Sequence, residues 1–167
     1  MKPYLPPEII LLVAGHLSPS HLVSLLRAAP GLSPLLTRRH ASLLHYLAEE
    51  GDGTLMALLV ANGNFTPDLK DENSRTPLSC AAQSGHQGVV KLLLERQDVD
   101  ANSRDDDGMT PLSRAASDGH EAVVKLLLER QDVDANSRDN SGMTPLSRAA
   151  SDGHEAVVKL LLEQCGK

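Results

Sequence analysis

The apolar and polar positions of this chain follow a helix–turn–helix pattern that repeats every 34 residues. Thr76, Thr110 and Thr144 open successive copies. The stretch from Thr110 to Glu129 returns letter for letter from Thr144, and more loosely from Thr76. Self-similarity at a fixed period of this size indicates stacked units, because one unit cannot bury its apolar face alone.

Each copy predicts two short helices joined by a turn. Thr76 can cap the first helix, and Pro77 suits its first position, where no backbone N–H is needed. Gly85 can end that helix in the left-handed conformation. A second helix is predicted from about Gln87 to Glu95, with an apolar stripe broad enough for burial between layers. The apolar positions are Leu78, Ala81 and Ala82 in the first helix and Val89, Val90, Leu93 and Leu94 in the second.

The recurring Thr-Pro-Leu, Ala-Ala, Gly-His, Val-Val and Leu-Leu-Leu-Glu resemble the ankyrin repeat. The resemblance implies an all-α solenoid over residues 42–167, with units 42–75, 76–109, 110–143 and a truncated 144–167. In the first, degraded unit, Leu43 and Leu44 replace Pro77 and Leu78, and Asp52 replaces His86. The family's His after Thr-Pro-Leu is replaced by Ser79, Ser113 and Ser147, so we expect hydroxyl groups to replace part of the hydrogen bonding between units.

Residues 1–41 follow a different pattern. Short helices are predicted from about Pro7 to His16, from Ser18 or Ser20 to the break at Pro30, and from about Ser33 to His40. The motifs Leu5-Pro-Pro-Glu-Ile-Ile, Leu17-Ser-Pro-Ser-His-Leu, Leu25-Leu26 and Leu35-Leu36 resemble an F-box, the helical motif that docks onto the Skp-family adaptor of cullin ubiquitin ligases.

That second resemblance implies a set of adaptor-binding side chains and a function. Leu5, Pro6, Ile9 and Ile10 would meet the adaptor, and Leu17, Leu22 and Leu25 would share that contact with the packing of the motif itself. The chain would then be a substrate receptor whose repeats present the target. In the alternative, the N-terminal helices only cover the open end of a plain ankyrin scaffold or inhibitor, as a terminal unit requires.

The charge and the composition of the chain limit the classes of partner that it is expected to bind. Residues 1–41 carry about +3, so the net charge of −6 leaves about −9 for the rest (−6 minus +3). Phosphate binding needs clustered Lys and Arg, so this acidic repeat surface argues against nucleic acid. The run Ile9–Ala14 is too short to span a membrane. Cys80 and Cys165 match neither a zinc spacing nor a disulfide framework, which favours an intracellular, cytoplasmic or nuclear protein.

The candidate catalytic and metal-binding residues favour structural roles. We expect His86, His120 and His154 to bond backbone near turns, because they recur with the repeat. The run Asp105–Asp107 lacks the alternating acids and closing Glu of a calcium loop, so a solvated turn is predicted. A Ser113 or Ser147 nucleophile would need an enclosed pocket. We therefore predict a non-enzymatic protein without cofactor or metal.

Protein recognition remains as the predicted function. Units 76–109 and 110–143 differ at seven positions, several of them at the end of the first helix and at the loop tip. These positions predict a partner-binding surface, although drift on solvated faces explains the same differences equally well. The predicted surface consists of Asp105, Asp106, Asp107, Arg114, Ser117, Asp118, Asp139, Asn140, Ser141, Arg148, Ser151 and Asp152.

The last copy carries an expectation of its own. Residues 157–162 are identical to the internal second helices, which bury their far side on a following unit. No polar capping unit follows. We therefore expect that the array continues in a longer protein, or that its bare end is covered by another molecule, such as a second copy of this chain.

Overall fold

The computed structural model describes residues 19–28, 41–61 and 66–165. This part of the chain contains helices, turns and loops, and no strand. The helices are α1 (Pro19–Ala28), α2 (Ala41–Glu50), α3 (Gly53–Ala61), α4 (Pro77–Gln83), α5 (Gln87–Leu94), α6 (Pro111–Ser117), α7 (Glu121–Glu129), α8 (Pro145–Ser151) and α9 (Glu155–Cys165). The predicted all-α solenoid is confirmed. Of the three predicted N-terminal helices, the middle one corresponds to α1, and the other two lie outside the described residues.

Local sequence signals set the helix starts as predicted. In α4, α6 and α8 a threonine caps the helix and a proline takes the first turn. The threonine Oγ1 accepts the backbone N–H three residues on, at 3.2 Å for Thr76, 3.3 Å for Thr110 and 3.2 Å for Thr144. Each cap satisfies a donor that the first turn of a helix leaves without an intrahelical partner.

The helices form two layers. The first helices α2, α4, α6 and α8 pack in series, and the second helices α3, α5, α7 and α9 pack in a parallel series. Val89, Val90 and Leu93 of α5 are at most 1 % exposed, which confirms the predicted stripe, whereas Leu94 is only partly buried. The core is therefore one continuous layer of aliphatic side chains between neighbouring units.

Each unit is joined to the previous one by a histidine that lies against a glycine. The glycines have φ of +73°, +76° and +73°, a conformation that residues with a Cβ rarely adopt. Each histidine Nε2 lies 2.7 to 2.8 Å from a backbone oxygen of the preceding unit, and because a carbonyl only accepts, Nε2 carries the proton. The glycine, histidine and oxygen sets are Gly51, His86 and Glu49; Gly85, His120 and Gln83; and Gly119, His154 and Ser117. The expected structural role of these histidines is confirmed.

The degraded first unit keeps one family feature that its sequence conceals. His45 lies 34 residues before Ser79, at the place of the histidine that follows Thr-Pro-Leu in the family. Its Nε2 bonds the Arg75 backbone oxygen at 2.8 Å. Ser113, at this position in the third unit, instead has its hydroxyl 3.2 Å from Oγ1 of Thr110, and Ser137 Oγ lies 3.3 Å from the same oxygen. All three residues belong to the third unit, so these contacts are not the expected hydrogen bonds between units.

The N-terminal helix α1 packs against α2 and α3 of the first unit. Val23 of α1 is 6 % exposed and belongs to the continuous core. Arg27 forms an ion pair with Asp52 at 2.6 Å, and Asp52 occupies the register position of the histidine in later units. Helix α1 thus covers one end of the stack with an ion pair where the internal units use an imidazole.

Replacing Gly119 by alanine is expected to destabilise the stack more than replacing Gly153. Both glycines have positive φ, +73° and +81°, so each alanine carries the strain of the left-handed conformation, about 1 kcal/mol. A Cβ at residue 119 would also lie closer than 3.0 Å to the ring of His154, and relieving that overlap adds about 1–3 kcal/mol. At residue 153 no atom of the described residues lies within 4 Å of the added Cβ.

Urea unfolding of the two variants, followed by circular dichroism, measures this difference in the free energy of unfolding. Equal losses would contradict the role assigned to the contact between Gly119 and His154.

Candidate functional site

The loop before α6 is held by a buried carboxylate. Oδ1 of Asp105 accepts the backbone N–H groups of Asp107 at 3.0 Å and Met109 at 2.9 Å. Oδ2 accepts Nε of Arg114 at 2.7 Å. The Asp105 side chain is 0 % exposed, so the prediction of a solvated turn is wrong for this residue. Asp105 is buried because its oxygens take up loop donors and a guanidinium that would otherwise lack partners.

The next loop repeats this arrangement. Oδ1 of Asp139 accepts the N–H groups of Ser141 and Met143, and Oδ2 accepts Nε of Arg148 at 2.8 Å. Burial alone would raise the pKa of Asp139, but the hydrogen bonds from Arg148, Met143 and Ser141 outweigh it and hold that pKa below its ordinary value. Asp139 is therefore a charged group that fixes the shape of the loop.

The first loop of this series obtains its guanidinium from a different position. Oδ2 of Asp71 accepts Nε of Arg75 at 2.8 Å. Arg75 corresponds in register to Met109, and Cys80 corresponds to Arg114. Cys80 is 0 % exposed, and burial raises the pKa of its thiol to about 12. The difference between Cys80 and Arg114 is therefore a relocation of the loop-binding arginine, and it is not free variation on an exposed surface.

The loop tips are exposed, but their backbones are connected. The backbone N–H of Asn140 donates to the backbone carbonyl of Asp107 at 3.0 Å, and the Asn140 side-chain amide donates to the backbone carbonyl of Asp106 at 2.8 Å. The backbone N–H of Asp106 donates to the backbone carbonyl of Asn73 at 3.1 Å. Asp106, Asp107, Asn140 and Ser141 are all exposed. Their side chains therefore lie on a hydrogen-bonded row of loops.

The predicted residues at the helix ends lie beside one another on neighbouring units. Asp118, Ser151 and Asp152 are exposed, and Ser117 is partly buried. The Ser117 hydroxyl donates to Oδ2 of Asp152 at 2.9 Å. We call the exposed set the loop–helix surface; its members are Asp106, Asp107, Asp118, Asn140, Ser141, Ser151 and Asp152. Of the other predicted residues, Asp105, Asp139, Arg114 and Arg148 anchor the loops beneath it.

A polar groove of about 250 Å³ lies between the tips and the first helices. It is lined by Asn73, Arg75, Gln83, Asp106, Asp107 and Arg114. Asn73, Arg75 and Gln83 are not among the predicted site residues, although the 34-residue register places Asn73 at the position of Asp107. The groove offers both donors and acceptors, so it suits recognition of a polar or charged segment.

The described residues were also searched for a metal site and for a membrane-spanning helix. In the described part of the chain, no group of three His, Cys, Asp or Glu residues is arranged to hold a metal ion. None of the described helices is long and apolar enough to cross a bilayer.

Most of the predicted adaptor-binding residues cannot be placed. Leu5, Pro6, Ile9, Ile10 and Leu17 lie outside the described residues. Leu22 and Leu25 lie in α1, but the positions of their side chains are not described.

Comparison with known proteins accounts for the repeat. A family model for ankyrin repeats in three copies matches residues 12–105 and 97–167. The first match begins within the segment that resembles an F-box, and the comparisons show no F-box motif. A search of curated proteins finds no match. The ankyrin match indicates a protein–protein interaction module.

Replacing Asp139 by asparagine is expected to lower the free energy of unfolding at pH 7 by about 1–3 kcal/mol, because Arg148 loses its charged partner. The free energy of unfolding of this variant should also depend less on pH than that of the wild-type chain. The pKa of Asp139 is depressed in the folded chain, so the unfolded chain binds its proton first as the pH falls. Because this pKa is lowered, the stabilisation by Asp139 is fully present above the ordinary carboxyl pKa of about 4 and is lost progressively as the pH falls below it.

Urea unfolding at several pH values tests this, with Asp118→Asn as a control at an exposed acid. If Asp139→Asn keeps the full wild-type slope between pH 5 and 3, the assigned role of Asp139 is wrong.

Proposed function

Since this chain belongs to the ankyrin-repeat family, we propose that its loop–helix surface binds a basic segment of a protein target. The observation that carries this proposal is the separation of two kinds of acidic residue. Asp105 and Asp139 are buried and neutralised by Arg114 and Arg148. Asp106 is exposed on the connected row of loops, and Asp118 and Asp152 are exposed at the ends of the first helices.

Rigidity of the row supports binding. Its tips are joined by backbone hydrogen bonds, and its loops are anchored to the first helices by ion pairs of 2.6 to 2.7 Å. A surface that is already ordered has little conformational entropy to lose when a partner binds. Exposed carboxylates on such a surface favour lysine and arginine side chains and speed their encounter.

The binding surface can be tested with randomised peptides displayed on phage. Peptides selected on the immobilised chain are expected to be rich in Lys and Arg. Their affinity should fall at least about tenfold in the triple variant Asp106→Lys, Asp118→Lys, Asp152→Lys, because the attraction becomes repulsion.

A charge-matched control separates this surface from net charge. The variant Glu95→Lys, Glu121→Lys, Glu129→Lys changes exposed glutamates on or beside the second helices. It should retain the selected peptides. Equal loss in the two triple variants, or selection of peptides without basic residues, would refute the proposed surface.

At a finer level, the protein would serve as a substrate receptor of a cullin-type ubiquitin ligase, with residues 4–40 recruiting a Skp-family adaptor. The support is the F-box resemblance of that segment. The alternative is a plain ankyrin scaffold or inhibitor whose N-terminal helices only cap the stack. Packing of Val23 into the core, the ion pair between Arg27 and Asp52, and a family match that begins at residue 12 favour the cap.

A pull-down with a purified Skp-family adaptor distinguishes the two functions. If the segment recruits the adaptor, the intact chain should retain it, and Leu5→Asp or Ile9→Asp should abolish retention by placing a charge in an apolar contact. Leu162→Asp, at an exposed leucine of the last unit, is the control and should bind normally. No retention of the adaptor by the intact chain would leave the capping function.

A further inference from the structure

The segment that follows each second helix is hydrogen-bonded to the same segment of the next unit. In the later of two such contacts, the side chain of Asn102 forms two hydrogen bonds. Its Oδ1 accepts the backbone N–H of Asp134 at 2.8 Å, and its Nδ2 donates to the backbone carbonyl of Asp132 at 2.6 Å. The side-chain amide therefore uses both its acceptor and its donor in this contact.

The earlier contact has an acid in place of this amide. Asp68 lies 34 residues before Asn102, and its Oδ2 accepts the backbone N–H of Asp100 at 3.0 Å. Asp100 is the register counterpart of Asp134, so Oδ2 of Asp68 does what Oδ1 of Asn102 does. Oδ1 of Asp68 then takes the place of the amide nitrogen. That oxygen is buried, and no described residue donates a hydrogen bond to it.

A charged acid does not match this position. The register counterpart of the carbonyl that accepts from Asn102 is the backbone carbonyl of Asp98. A carboxylate oxygen and a carbonyl oxygen only accept, so neither of them supplies the hydrogen that the amide supplies. A protonated carboxyl group combines one O–H donor with an acceptor, which is the same pair of functions as an amide. One proton on Asp68 is therefore enough to restore the second hydrogen bond.

We propose that Asp68 is a pH-sensitive contact between the first and second units, in which its protonated Oδ1 donates to the backbone carbonyl of Asp98. In this form, the two segments are joined as the later pair is joined by Asn102. When the proton leaves to solvent, two acceptors face each other and the contact between the units weakens. The first unit is therefore held to the rest of the stack more tightly at acid pH.

The groups around Asp68 favour its protonated form. Burial raises the pKa of the Asp68 carboxyl group, and the nearby carboxylates of Asp100 and Asp98 raise it further. The hydrogen bond from the Asp100 N–H and the guanidinium of Arg130, which follows α7, act in the opposite direction. The first group of effects is larger, so the pKa of Asp68 lies above the ordinary value of an aspartate.

This contact has the opposite pH dependence to that of Asp139. Because the pKa of Asp68 is raised in the folded chain, the folded chain keeps this proton when the unfolded chain has lost it. The stabilisation is fully present below the ordinary carboxyl pKa of about 4 and is lost as the pH rises through the raised value. Asp68 lies outside the loop–helix surface, so the contact is independent of the proposed binding function.

Nuclear magnetic resonance of the ¹³C-labelled chain measures the pKa of Asp68 directly, from the pH dependence of its side-chain carboxyl carbon. The signal is assigned by its loss in Asp68→Asn. The measured pKa is expected above the ordinary value, and the backbone carbonyl carbon of Asp98 should shift over the same pH range. A pKa at or below the ordinary value would overturn the proposal, because Asp68 would then stay charged beside Arg130.

A reciprocal pair of variants tests the geometry by urea unfolding at pH 7 and pH 4, each compared with the wild-type chain at the same pH. Asp68→Asn supplies the missing donor, so it should raise the equilibrium constant for folding about fivefold at pH 7 and much less at pH 4. Asn102→Asp places the mismatched acid in the later contact. It should lower that constant about fivefold at pH 7 and regain most of the loss at pH 4.

Asp118→Asn is the matched control, because it removes the same charge from an exposed position. It should change the equilibrium constant for folding by less than about twofold at either pH. Three outcomes would contradict the proposal: a gain in Asp68→Asn no larger than in the control, an equal gain at both pH values, or a loss in Asn102→Asp that persists at pH 4.

Discussion

The stack depends on the contact between a histidine ring and the turn glycine of the preceding unit. The glycine must have positive φ and must lack a Cβ, because the ring occupies the space where that atom would lie. The histidine Nε2 then donates to a carbonyl two residues before the glycine. Since the same histidine precedes a second helix, the contact sets the position of each helix pair on the last. The aliphatic core and the row of loops follow from that spacing.

The loops show that one structural requirement can be met from different positions. Each described loop needs a carboxylate to take up its backbone N–H groups, and each carboxylate needs a guanidinium. Asp105 obtains it from Arg114 in the following helix, whereas Asp71 obtains it from Arg75 in the loop itself. A buried Cys80 then takes the place of the helical arginine. With the loops fixed in this way, their tips can vary and remain in a defined place.

The two ends of the stack have different chemistry. At the first unit, Asp52 replaces the histidine and pairs with Arg27 of α1, and Val23 joins the core. This end is covered by the chain itself. At the last unit, Gly153 has φ of +81°, a positive value like those of the turn glycines that contact a histidine. No atom of the described residues lies against Gly153 in the same way. Among the described residues, the first unit is therefore covered by α1, and the last unit has no described element on its outer face.

The sequence by itself determined the period, the helix caps and the turn glycines, because these features depend on neighbours within one unit. It also indicated a structural role for the recurring histidines, because they return in register, although their contacts lie between units. Only the tertiary structure decided which carboxylates are exposed. Asp105 and Asp106 are adjacent aspartates, yet one is buried by Arg114 and the other is exposed. The role of His45 was likewise hidden, because its bonding partner lies 30 residues away, at Arg75. Burial and pairing of polar groups depend on contacts between residues that are far apart in the sequence or lie in neighbouring units, and local spacing does not contain these contacts.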